Sequence, residues 1–324
     1  MLDNLRRRGS ALNVNRLLQR NVEFVHGDIR NPSDLKLTGA PAQLIIECSA
    51  ECSAQVGYGA SPAYLIETNL MGCFNCLELA RLTRADFLFL STSRVYPESL
   101  LNSLAFSETN ERFVLSADQT LPGATELGIS ECFPTHGARS LYGMTKLAAA
   151  LMIAEYKDAY GLRFIINRCG LISGPWQVGK SDRGVAALWM ASHFFKRSLR
   201  YMGFGGKGKQ VRDILHIAEL CRLVEAQIVN LKGYAGQVLK AGGGLANSLS
   251  LLEMTRLCEA ITGNKIDIGA TLEQRQADLR IYVTDHSAVS SLGGWPPSRT
   301  AECTLHDIYS WIRAEEHLLR PLFT

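Results

Sequence analysis

The chain has 324 residues, 47% of them apolar, and its 34 Lys and Arg against 31 Asp and Glu leave a formal charge of +3. A balance this close to neutral gives no reason to expect nucleic acid or an anionic membrane surface as the main partner. No apolar run approaches the ~20 residues of a membrane span, and Met1-Leu2-Asp3-Asn4-Leu5-Arg6 places charge where a signal peptide would turn apolar, so a cytoplasmic protein with one large domain or two intimate ones is expected. The nine cysteines are scattered. Cys48/Cys52 and Cys73/Cys76 have metal-like spacing, but the second pair sits inside a helical pattern and no histidine joins it, so no metal is expected.

Taken in order, the first half alternates short apolar runs with helical patterns. Val22–Ile29 and Gln43–Cys48 read as strands. Ser61-Pro62 opens a helix running to about Arg81, serine supplying a cap and proline fitting the first turn. Phe87–Ser91 is a buried strand, Leu141–Tyr160 a long helix and Arg163–Arg168 a further strand. Strand and helix in alternation predict parallel strands joined by right-handed crossovers, an α/β doubly wound sheet. Pro97 to Ser140 is long for a connection between strand and helix, which points to a functional segment or a lid. Further on, Leu199–Met202 and Gln210–Ile217 read as strands around the glycine-rich turn Gly203–Gly208, and Gln237–Ala241 as a strand returning to the main sheet. Ser250 and Glu253 have capping-box spacing at the start of a helix ending near Gly263, and Thr304 to Leu319 forms a last amphipathic helix. The division expected is a cofactor domain over 1–172 and a smaller α/β substrate domain over 173–324.

The chemistry concentrates in two places. In Tyr142-Gly143-Met144-Thr145-Lys146, the spacing puts tyrosine and lysine on one helix face. An ammonium beside a phenol favours the phenolate, so Tyr142 can act as a base near neutral pH. The same pair also fits a solvated helix face, and what argues otherwise is the strand upstream. Phe87-Leu88-Phe89-Leu90-Ser91-Thr92-Ser93-Arg94-Val95-Tyr96 is a buried strand ending in hydroxyls, and the carboxyl end of a parallel strand is where ligands bind. Thr92 there can hydrogen-bond the oxygen that Tyr142 deprotonates.

Ser91-Thr92-Ser93-Arg94-Val95-Tyr96 followed by Tyr142-Gly143-Met144-Thr145-Lys146 resembles the active-site pair of the extended short-chain dehydrogenases/reductases that act on nucleotide sugars. Asp3-Asn4-Leu5 is similar to the end of that family's second strand, and Gly27-Asp28-Ile29-Arg30 to its adenine turn. Gly174-Pro175 and Val211-Arg212-Asp213-Ile214-Leu215-His216 resemble its sugar-domain landmarks. Within the family the likeness is greatest to epimerases of CDP-linked 3,6-dideoxyhexoses. It is carried by Arg6-Arg7-Arg8-Gly9-Ser10, Phe24-Val25-His26-Gly27-Asp28, Ser107-Glu108-Thr109, Lys209-Gln210-Val211-Arg212-Asp213 and Asn247-Ser248-Leu249-Ser250-Leu251-Leu252-Glu253. Sugar 4,6-dehydratases of the family carry Asp-Glu after the threonine, and here Ser93 and Arg94 stand in those places.

The resemblance implies an NAD-dependent isomerase that oxidises a sugar carbon, at C2 of a CDP-linked sugar, to a transient ketone and reduces it from the other face. It implies Thr92, Tyr142 and Lys146 as catalytic residues. The cofactor would be held by Asp3 and Asn4 at the adenosine ribose, Asp28 and Ile29 at the adenine, Ala50 beneath it, and Tyr142 and Lys146 at the nicotinamide end. A carboxylate at Asp3 disfavours a 2′-phosphate, hence NAD, although Arg6, Arg7 and Arg8 soften that repulsion. Ser93, Arg94 and Gln177 would meet the sugar, and Arg212 and Arg275 the diphosphate, which arginine binds in bidentate fashion. A homodimer through the helices Ser61–Arg81 and Leu141–Tyr160 is implied as well. A first strand and a Gly-x-x-Gly-x-x-Gly turn would precede Asp3 in such a protein, and the expectation is that a longer natural chain carries them. Gly203–Gly208 and Gly242-Gly243-Gly244 fall too late in the chain to replace that turn. A C4 epimerase, a reductase on another nucleotide sugar and a non-catalytic homologue remain alternatives.

Overall fold

The computed structural model describes residues 1–36, 41–178, 184–293 and 295–323. It is an α/β protein whose chain passes repeatedly between two compact units. The first comprises Met1–Val95, Ser140–Asn167 and Ala235–Val238. The second comprises Tyr96–Arg139, Arg168–Tyr234 and Leu239–Thr324.

In the first unit the apolar run Asp86–Thr92 pairs in parallel with Leu44–Glu47, in the register Leu44↔Asp86 to Glu47↔Phe89. The sheet order continues through Phe164–Cys169 to Gln237–Ala241, so the late strand does return to it. Phe87 and Phe89 are buried, as expected of a strand covered on both faces, whereas Ile46 on the edge strand Leu44–Glu47 is 43% exposed. Leu2–Asp3 and Val25–His26 form a parallel pair of their own. The strand expected over Val22–Ile29 is cut to two residues because Gly27-Asp28 turns the chain: the Asp28 N–H donates to the Asp34 carboxylate at 2.8 Å.

The helix expected from Ser61 to Arg81 is three segments: Ala63–Ile66, a π-helical turn over Glu67–Met71, and Gly72–Thr83. The wide turn accommodates Asn69, whose side chain is turned inward and fully bonded. Helix Leu141–Tyr160 runs as expected. The Ser140 side chain caps its start, and Gly161, at φ +69°, ends it in the left-handed region. Leu77, Ala80, Phe87, Phe89, Ala149 and Ile153 are the centre of this unit's core.

In the second unit, Val211–His216 is the central strand. It pairs in parallel with Leu171–Ser173 and Ile281–Tyr282 and antiparallel with Ser248–Ser250. The strands flanking Gly203–Gly208 do not pair with each other: Leu199–Met202 pairs in parallel with Ile268–Thr271. Between the two expected strands, Gly203, Gly205, Gly206 and Gly208 all take positive φ around a 3-10 turn. Gly242 and Gly243 are required by close packing: a Cβ would come within 2.1 Å of the Thr284 hydroxyl and of the Ile214 carbonyl, respectively. The stretch from Pro97 to Ser140 holds a short helix, Glu98–Asn102, and two small hairpins. The capping box at Ser250 and Glu253 forms as expected. The single final helix expected from Thr304 to Leu319 is two, Ala301–Ala314 and Glu316–Phe323, separated at Glu315.

This unit also buries a lysine without a carboxylate partner. Lys240 is fully buried, its Nζ makes no hydrogen bond among the described residues, and it lies 4.5 Å and 5.2 Å from the ring centroids of Tyr96 and Tyr282. Burial pulls its pKa from the ordinary 10.5 down to about 7, against weaker attraction from Glu131 and Asp213 and with added repulsion from Arg168. Between those two pH values the unfolded chain binds a proton that the folded protein does not, so this site adds stability as pH rises through the window and withholds it below about 7. Lys240→Met keeps the bulk and removes the charge. We expect it to stabilise the protein at neutral pH by on the order of a few kcal/mol. The gain should shrink towards zero by the top of the window, as read by urea unfolding of both proteins across that range.

Candidate functional site

Helix Leu141–Tyr160 packs against the strand Asp86–Thr92 and the 3-10 turn Ser93–Val95 that follows it. Its first turn carries Tyr142, 9% exposed, and one turn later Lys146, 2% exposed. The paired spacing therefore lies on the buried face of the helix. At the end of the strand, the Thr92 Oγ1 accepts the Arg94 N–H at 3.2 Å. Ser91 is buried with its hydroxyl unbonded, and Ser93 and Arg94 are half-buried in the turn.

A buried ammonium is costly unless an opposite charge answers it. Lys146 Nζ lies 3.4 Å from Glu47 Oε2 and 3.4 Å from the Ser49 carbonyl, with the Phe89 ring centroid 4.3 Å away. Burial works to lower the lysine pKa, but the charges of Glu47 and Tyr142 outweigh it and hold the ammonium above its ordinary value. Asn69 ties the loop after Leu44–Glu47 to the helix. Its amide oxygen accepts the Glu51 N–H at 2.8 Å, and its amide nitrogen donates to the Glu51 carbonyl at 2.9 Å and the Thr145 hydroxyl at 3.1 Å.

The residues expected at an adenosine end come together around the Leu2–Asp3 and Val25–His26 pair. Asp3 Oδ1 accepts the Leu5 N–H at 2.7 Å, bending the chain so that Leu5 takes φ +52°. Asn4 donates to Asp28 Oδ2 at 2.9 Å. Arg30 grips both oxygens of the same carboxylate, at 3.0 and 2.8 Å, and holds Asp28 far below the usual carboxylate range. The Asp28 side chain thus organises its own turn, and Ile29 beside it is buried in the core. The guanidinium groups of Arg6 and Arg30 lie 4.0 and 4.7 Å from the Tyr64 ring centroid. Arg7 donates to the Ala50 carbonyl at 2.6 Å. A carboxylate at the end of a strand, Asp3, and a buried ammonium beside a phenol, Lys146, suit the two ribose ends of a dinucleotide.

In the second unit, Arg212 pairs with Asp278 at 3.3 Å and donates to the Leu279 carbonyl at 2.7 Å. Arg275 bonds the Met202 sulfur and lines a shallow polar depression of about 330 Å³ with Glu98, Asn102, Gln274 and Asp278. Gln177 is folded onto its own strand, accepting from the Ser173 hydroxyl at 2.9 Å and donating to the Ile172 carbonyl at 3.0 Å.

Sequence reasoning passed over three buried polar residues. Glu47 and Lys240 each interrupt an apolar strand, and a charge inside such a run is the signal that could have singled them out. Asn69 sits in an ordinary helical pattern, and nothing short of the π turn marks it.

The NAD dependent epimerase/dehydratase family matches residues 2–242. Among relatives, the CDP-paratose 2-epimerase of Salmonella typhi is 29% identical over 321 residues, covering 96% of this chain and 90% of that protein. A dTDP-glucose 4,6-dehydratase of Mycolicibacterium smegmatis is 25% identical over 312 residues, covering 93% and 81%. Among solved structures, the UDP-glucose 4-epimerase of Thermus thermophilus in complex with NAD superposes with a TM-score of 0.76 at 21% identity, over 96% of this chain and 90% of that one. That last likeness is one of fold. The family match takes in the strand end at Thr92, the helix bearing Tyr142 and Lys146 and the returning strand, and so the chain belongs to the NAD-dependent epimerase/dehydratase family.

Proposed function

We propose that this protein epimerises a nucleotide-linked sugar, and that the substrate is a CDP-linked 3,6-dideoxyhexose inverted at C2, CDP-paratose to CDP-tyvelose. The observation that carries the reading is the buried pair Tyr142 and Lys146 on the helix that packs against the strand ending at Thr92. Tyr142 takes the proton from the sugar hydroxyl, with Thr92 hydrogen-bonding the same oxygen and the Lys146 charge favouring the phenolate. NAD, when bound, supplies the acceptor for the hydride and its return. The sugar would pass through a ketone, turn over, take the hydride back on its other face and regain the hydroxyl proton from Tyr142, with no net oxidation.

Asp3 and Asn4 would hold the adenosine ribose, Asp28, Ile29 and Ala50 the adenine side, and Tyr142 and Lys146 the nicotinamide ribose. Ser93, Arg94 and Gln177 are assigned to the sugar, Arg212 and Arg275 to the diphosphate. Elimination, as in a dehydratase, needs an acid and a base at the strand end. Ser93 and Arg94 supply no carboxylate there, which favours epimerisation. The likeness to a CDP-paratose 2-epimerase supports the choice of substrate.

The test is incubation with NAD and CDP-paratose, following inversion at C2 by proton NMR. Tyr142→Phe is expected to lower turnover by on the order of a hundredfold or more while KM stays within a few-fold. Unchanged turnover would remove Tyr142 as the base.

The reading includes a homodimer. Phe74 on helix Gly72–Thr83 is 37% exposed, Met71 just before it 49% and Leu151 on helix Leu141–Tyr160 62%, so each helix leaves large apolar side chains in water. Phe74→Arg combined with Leu151→Arg should convert a dimer to a monomer in light scattering at micromolar concentration without changing the far-ultraviolet circular dichroism. A wild-type protein that is already a monomer there would overturn the dimer.

A further inference from the structure

The group that answers the buried Lys146 is itself unusual. Glu47 ends the strand Leu44–Glu47, is 3% exposed, and has one oxygen, Oε2, on Lys146 and the other, Oε1, without a hydrogen bond. Carboxylate and ammonium are equally sealed from water, at 2% side-chain exposure each. Lys146 Nζ has one further acceptor, the neutral Ser49 carbonyl. The other titratable groups around the pair are Tyr142 on the lysine's own helix and the thiols of Cys73 and Cys76 on helix Gly72–Thr83. Burial pushes both thiols up, Cys76 to about 12, so neither offers the lysine a negative charge at neutral pH. Glu47 is the one full counter-charge that the described residues set against Lys146.

We propose that Glu47 is the fixed counter-ion of Lys146 and, through it, a positioning residue for the Tyr142 phenol. This rests on the reading of Tyr142 as the base. Two effects of opposite sign meet at Glu47. Its negative charge, felt directly, disfavours a phenolate at Tyr142. Its hold on Lys146 keeps an ammonium in a place where burial alone would discharge it, and that ammonium favours the phenolate. The short range of the pair and the depth of its burial make the second effect the larger. Without Glu47, the lysine loses its charge or its place, and Tyr142 becomes a weaker acid.

The test is the titration of Tyr142 itself, read as phenolate absorbance in the near ultraviolet for each protein minus the same protein carrying Tyr142→Phe. Turnover is not needed for this measurement. Failure of the epimerase reading shows in the NMR assay, and failure of this one shows in the titration. Glu47→Gln is expected to move the Tyr142 midpoint upward by about one pH unit or more. Glu47→Asp, which keeps the charge, should restore most of the shift. Lys146→Met should raise the midpoint too, and adding Glu47→Gln to it should raise it no further. A midpoint that falls or stays put in Glu47→Gln overturns the proposal. If Glu47→Gln alone does not fold, the double variant with Lys146→Met decides. Its recovery of a native circular dichroism spectrum supports a counter-ion role, because both charges leave together. A double variant that stays unfolded assigns Glu47 to the fold independently of Lys146 and overturns the proposal.

Discussion

Helix Leu141–Tyr160 docks on the sheet with a lysine on its buried face, and much of the first unit is arranged around that fact. An ammonium cut off from water must be paired or neutralised. Here it is paired, by a carboxylate at the end of the neighbouring strand and a carbonyl two residues on. The pairing fixes the height of the helix against Leu44–Glu47, and the Asn69 amide fixes the same loop from the other side. The π turn in the preceding helix follows from this. A regular helix over Glu67–Met71 would carry Asn69 elsewhere, and its two hydrogen bonds to Glu51 in the loop and its one to Thr145 on the helix would be lost.

What the strand end does not contain bears equally on the chemistry. Acid–base work at a strand terminus depends on which side chains the last residues turn toward the ligand. Thr92 offers a hydroxyl already accepting from the Arg94 amide, which leaves its own proton free to donate. Ser93 and Arg94 then bring a second hydroxyl and a cation into the turn. Such a set can hold a sugar oxygen and steady a developing negative charge, but it holds no group that would protonate a leaving hydroxyl while another abstracts a proton from carbon.

The regular elements with strong patterns were legible in the sequence. The apolar run at Phe87–Ser91, the Tyr-x-x-x-Lys helix and the Ser250–Glu253 capping box each carry a local cause, and each appears where that cause puts it. The elements that differ are ones where a side-chain hydrogen bond overrides the pattern of apolar residues. Val22–Ile29 looks like a strand until Asp34 and Arg30 draw Asp28 into a turn. The helix read over Ser61–Arg81 looks continuous until the inward-turned Asn69 is accommodated by a π turn. At the candidate site, the shared helix face of Tyr142 and Lys146 was legible because their spacing is local. Glu47 was passed over, since its partner lies 99 residues away.

Lys146 and Lys240 show how differently one side chain can be accommodated. Lys146 and Lys240 are both sealed from solvent, both lie near aromatic rings, and both interrupt apolar surroundings. Lys146 has a carboxylate within 3.4 Å and stays charged. Lys240 has phenol rings and more distant acids, hydrogen-bonds nothing through its amine, and is driven toward the neutral form. A cation next to Tyr142 is what the proposed phenol base would draw on. A neutral amine packed on two rings requires only volume and an apolar stem, so the same residue type serves as an electrostatic element in one unit and as packing in the other. The difference comes down to whether the fold brings a carboxylate within hydrogen-bonding reach.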